Sequence, residues 1–115
     1  MNISFDHRQL DVGRVSLEAL VRGEKVAKAL PRGYACLADQ MRRALASTYL
    51  NTTEAIARRG VDRKMRLRIA KAEANEAVAA LDALRALNLL GDEAEEIATL
   101  LGRVCQMLTG LGRKP

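Results

Sequence analysis

Proline is almost missing from this sequence. Only Pro31 and Pro115 occur, so the chain can run as helix over long stretches until a glycine stops it. Gly33, Gly60 and Gly91 supply those stops, and between them apolar residues recur at steps of three and four. The apolar mass is Ala, Leu, Val and Ile; aromatics are only 3% and Trp is absent. Ala, Leu, Arg and Glu are strong helix formers. A chain of 115 residues is long enough to bury a core without staples. The pattern predicts an all-α protein, an antiparallel up-down four-helix bundle.

Residues 1–10 read as an N-terminal tail, 11–112 as a single bundle domain and 113–115 as a C-terminal tail. A first helix, capped by Asp11, runs to about Ala29 on Val12, Val15, Ala19, Val26 and Leu30, weakened by Gly13 and Gly23. Pro31 and Gly33 turn the chain. A second runs from Tyr34 to Arg59, with Leu37, Met41, Ala44, Thr48 and Ala55 inward, a face widened by Leu45, Tyr49, Thr52 and Ile56. Gly60 reads as its C′ glycine and Asp62 as the next cap. So short a connection makes helices two and three antiparallel neighbours. The third carries Leu67, Ala70, Ala74, Ala77, Leu81 and Leu84, and ends at Gly91. The fourth, capped by Asp92, carries Ile97, Leu101, Val104, Leu108 and Leu111.

The formal charge is +5, and it is concentrated. Arg58, Arg59, Arg63, Lys64, Arg66, Arg68 and Lys71 are opposed only by Asp62, while the rest of the chain is close to neutral. Arg-rich clusters bind phosphate backbones, with an affinity that falls with salt. No aromatic lies within the run, so single-strand stacking platforms are missing and recognition would be of backbone and shape. The same run also fits a solvated helix end, or cations that pair with Glu of a neighbouring subunit.

Two cysteines are too few for a disulfide framework. Cys36 opens helix two and Cys105 lies deep in helix four, an offset of roughly 15 Å, beyond disulfide reach. Reduced thiols, no signal peptide in the first residues and no apolar run of membrane-spanning length point to a cytoplasmic protein.

Gln40, Arg43, Ser47, Asn51 and Glu54 share a face of helix two, and Glu73 and Glu76 flank Asn75 on helix three. Carboxylates facing each other in a bundle suggest a di-metal site, but such sites draw on Glu-x-x-His pairs, and the only histidine is His7. A nucleophile–base pair fails for want of the same residue. The sequence therefore offers no catalytic residues, no metal site and no cofactor. The stripe, with Glu76, reads as a network through Arg43–Glu54 or Arg43–Glu76 that fixes helix register or a subunit interface, or as a solvent face. Ala72, Ala79, Ala83 and Ala86 give helix three a second apolar side, which predicts a homo-oligomer.

The run Leu37-Ala38-Asp39-Gln40-Met41-Arg42-Arg43-Ala44, then Ser47, Asn51 and Glu54, resembles the signature of a bacterial four-helix-bundle family. That family includes proteins encoded in intervening sequences of 23S rRNA genes. Leu67 to Ala72, Glu76, Leu81 and Leu87-Asn88-Leu89 are similar to its third helix, and Cys105 to Leu111 to its closing segment. The likeness covers about residues 34 to 112. Where the family has Asn-Ile-Ala-Glu-Gly, this chain reads Asn51-Thr52-Thr53-Glu54-Ala55. The resemblance implies a ring-like homopentamer. It also implies kinship with the accessory variability protein of diversity-generating retroelements, which binds RNA and a reverse transcriptase. Together with the basic run, it favours a non-enzymatic module for structured RNA or DNA. The alternative is a homo-oligomeric protein–protein scaffold.

Overall fold

The computed structural model describes residues 6–115, and residues 1–5 of the tail expected at 1–10 lie outside them. Among the described residues five helices follow one another: α1 (Asp6–Gln9), α2 (Asp11–Lys28), α3 (Ala35–Ala57), α4 (Gly60–Ala86) and α5 (Asp92–Leu111). There is no strand among the described residues. The part of the expected tail that is described, Asp6–Gln9, is a helical turn folded onto α2 and α3.

The four long helices pack side by side in a bundle of 44 × 31 × 21 Å. Cross-helix contacts set their directions. Arg66 meets Asn51 and Arg63 meets Ala55, so α3 and α4 are antiparallel. Arg85 meets Glu95 while Leu67 lies against Gly112, so α4 and α5 are too. α2 contacts α3 and α5, α4 contacts the same two, and α2 and α4 stand on the diagonal.

The expected stripe of α4 is buried from Leu67 to Leu84, as are Ile97, Leu101, Val104 and Leu108 of α5. Each such Leu contributes about 1.5–3 kcal/mol through the apolar surface it removes from water. On α3 the inward face is as wide as expected and takes in Leu45, Thr52 and Ile56. On α2, Gly13 and Gly23 are contact points and not weak spots. A Cβ on Gly13 would run into the carbonyl of His7, and one on Gly23 into Leu45. Glycine is what lets α1 and α3 approach α2 this closely.

The helix ends differ from expectation. Asp11, Asp62 and Asp92 all lie inside the first turn and make no side-chain cap; the cap positions are Leu10, Arg59 and Gly91. There the carboxylates act on the positive end of the helix dipole. Gly60, with φ +61°, opens α4 and does not close α3. α4 stops before Gly91: Asn88, at φ +61°, closes a Schellman turn in which Leu89 N–H donates to Leu84 O at 2.9 Å.

Two apolar stripes are left exposed. One is Leu10, Leu17 and Val21 along α2; the other is Val61, Met65 and Ile69 at the start of α4, prolonged by Ala72 and Ala79. Glu24 pairs with Arg42, and Arg43 acts on Glu73, so Glu24 and Glu73 stand at one height. Counted back from there at about 1.5 Å per residue, the two stripes lie level on opposite sides of the bundle. Lys25 of α2 is level with Glu73 and Glu76 of α4.

Candidate nucleic-acid interface

The basic run straddles the α3–α4 turn, and the fold sends its members in four directions. Arg58 pairs with Glu54 one turn back at 2.7 Å, and this guanidinium holds the Glu54 carboxyl below its ordinary range. Arg66 leans the same way and donates to Asn51 Oδ1 at 3.2 Å. Asn51 in turn donates to Ser47 O at 2.9 Å and Ser47 Oγ at 3.1 Å. These residues knit α3 to α4 along one flank.

Arg63 goes inward. It is only 6% exposed, and its Nε and Nη2 donate to Ala55 O at 2.9 Å and Ile56 O at 3.2 Å. Those are carbonyls of the last turn of α3, which have no partner within the helix. A third contact, at 3.5 Å, reaches Pro115 O. Counted from the sequence as a phosphate ligand, Arg63 is occupied by backbone carbonyls and shielded from any phosphate.

Lys64, Arg68 and Lys71 follow steps of four and three and share the face of α4 that looks toward α5. With Arg113 they line a groove of about 490 Å³ between the two helices. Burial raises the Cys105 thiol, and Lys71 works against that rise, so the Lys71 ammonium stands close to α5. Arg59 is exposed at the bundle end, where it shares a second hollow of about 410 Å³ with Lys114 and Asp6.

Residues 8–110 match the family described as 23S rRNA-intervening sequence protein. The chain belongs to that family. No curated relative matches it. In this member of the 23S rRNA-intervening sequence protein family, Ser47, Asn51 and Glu54 of the helix signature serve the α3–α4 flank just described.

The polar stripe is only partly a network. Arg43 and Glu54 are eleven residues apart on one helix, about 16 Å, which rules out the direct pairing considered from the sequence. Arg43, Gln40 and Glu76 are exposed. Arg43 acts on Glu73, whose carboxyl is raised by burial and by neighbouring Glu76. No group of three His, Cys, Asp or Glu gathers in metal-binding geometry among the described residues. Among the described residues, no helix is long and apolar enough to cross a membrane.

The cations missed from the sequence are Arg113 and Lys114, read there as part of a C-terminal tail. The signal was available: in an up-down bundle the end of the last helix lies beside the start of the third.

Proposed function

We propose that the chain is a non-enzymatic, homo-oligomeric four-helix bundle that binds structured RNA or DNA by its phosphate backbone. The observation that carries this reading is the convergence of Lys64, Arg68, Lys71 and Arg113 on one groove with no carboxylate in its lining. Arg59 and Lys114 extend the same positive end. Arg58, Arg63 and Arg66 support it only indirectly, by holding the turn in place. The family's name, which ties its members to ribosomal RNA genes, fits a nucleic-acid role. A reverse-transcriptase accessory role is the narrower form of the proposal.

Self-association is supported by the level apolar stripes on α2 and α4. A head-to-tail contact that sets the α2 face of one copy on the α4 face of the next builds a ring where the rotation between copies closes, and an open array where it does not. Repetition around a ring would multiply a weak patch by avidity. The scaffold alternative draws on the same two faces and needs no nucleic acid.

The deciding experiment is fluorescence anisotropy with an RNA hairpin and a DNA duplex across a salt series. Four phosphate contacts per subunit give a log–log salt slope of about −3 to −4, and Lys64→Ala with Arg68→Ala reduces it by about 2. Absence of binding at low salt, with the oligomer intact, would leave the scaffold reading.

A further inference from the structure

We propose that the α4–α5 groove seats a single nucleoside bearing a terminal phosphate monoester, as a free mononucleotide or as a strand end. This rests on the nucleic-acid reading and goes beyond backbone contact.

The groove combines two chemistries. Lys64, Arg68, Lys71 and Arg113 place four cations around about 490 Å³. A backbone phosphodiester carries one negative charge, whereas a monoester carries about 1.5 to 2 at neutral pH. Four cations in one recess suit the more highly charged group. The start of α4 adds its positive dipole end, and Arg113 answers the negative end of α5.

Apart from Thr109, whose hydroxyl donates to Cys105 O, and Gly112, the remaining wall is aliphatic. Leu67 forms a buried floor and Val61, 80% exposed, stands at the rim. A large apolar side chain this exposed gains by covering a flat, weakly polar surface, and a nucleobase face is one. Gly112 keeps the space open, because its missing side chain would lie 3.0 Å from Leu67 Cδ1. The volume falls within the range of about 300–1,000 Å³ common for small-ligand sites.

The other grooves lack this combination. The hollow at the bundle end includes Asp6, those between α2 and α5 include Glu93, and the one at the α2–α3 turn includes Asp39. Each sets at least one carboxylate among its cations, whereas the lining of the α4–α5 groove holds none.

The test uses the full chain with adenosine 5′-monophosphate, adenosine and inorganic phosphate in calorimetry. It adds 5′-phosphorylated and 5′-hydroxyl forms of one RNA oligonucleotide in anisotropy. The monophosphate should bind about tenfold more tightly than either fragment, and the phosphorylated strand about tenfold more tightly than the hydroxyl strand. Gly112→Leu fills the groove and keeps every cation. It should abolish both preferences while the salt slope of hairpin binding, set by the retained cations, persists. Val61→Ser removes the apolar rim without touching the core or the charge of the groove, and should do the same if Gly112→Leu misfolds. Equal affinity for phosphate and the monophosphate, or preferences unchanged in both variants, overturns the proposal. Loss of hairpin binding in the unmodified chain would instead overturn the broader nucleic-acid reading.

Discussion

Arg63 reaches back across the α3–α4 turn and donates from Nε to the carbonyl of Ala55 at 2.9 Å. The guanidinium thus closes the last turn of one helix from inside the first turn of the next. Arg63→Ala would strand two buried carbonyls and open a cavity. The expected loss is roughly 2–3 kcal/mol, or a fall in Tm on the order of 10 °C in thermal unfolding. Arg63→Lys keeps the charge but cannot serve both carbonyls, so it should recover only part of the loss. An Arg63→Ala variant with native Tm and weakened RNA binding would return Arg63 to the binding surface.

α1 is held by a close approach. The His7 carbonyl sits where a Cβ on Gly13 would be, and the His7 ring meets Tyr49 edge-on at 6.4 Å between centroids. Gly13→Ala must push α1 away, because a backbone carbonyl cannot yield as a side chain can. The bundle core would survive, since the helix interior prefers Ala to Gly. Amides of residues 8–10 should lose hydrogen-exchange protection while those around Leu81 keep theirs. Unchanged protection at both places would show that α1 tolerates the methyl.

Much of the fold could be read from the chain because its signals were redundant. The stripe from Leu67 to Leu84 repeats a three-four spacing over five turns, and all six positions are buried. What escaped was decided by single neighbours. Nothing local says that Gly13 and Gly23 are contact points, since the atoms that require them belong to His7 and Leu45. Nor does the sequence separate Arg63 from Lys64: one side chain turns inward to carbonyls and the next turns out. The candidate site was half legible for the same reason. Its α4 cations stand in one run, whereas Arg113 joins them only through the antiparallel return of α5.

The carboxyl of Glu73 is raised by burial and by Glu76, with Arg43 opposing the rise. In the isolated subunit this group therefore holds its proton to a higher pH than in an unfolded chain. A cation brought against it by a second copy would draw it back down. The assembled state then binds fewer protons in the window just above the ordinary glutamate pKa of 4.5. Assembly should strengthen as pH rises through that window and weaken as it falls. Sedimentation velocity from pH 7 to pH 4 reads this directly. Glu73→Gln should flatten the dependence, and a mass that grows on acidification would contradict it.

Lys25 on α2 stands level with Glu76 on the opposite side of the bundle, so a ring of like-oriented copies would bring Lys25 of one onto Glu76 of the next. The apolar halves, Leu17 and Val21 against Met65 and Ile69, would meet on the same contact line. Either Lys25→Glu or Glu76→Lys places like charges together and should weaken assembly by roughly five- to tenfold per interface. The double variant restores opposite signs in reversed order and should recover most of the native mass. Met65→Asp puts a charge into the apolar half and has no complementary rescue. Recovery in the double variant would establish head-to-tail contact between these two faces. Two single variants that assemble like the native chain would move the interface elsewhere, and a native chain that stays monomeric would remove it.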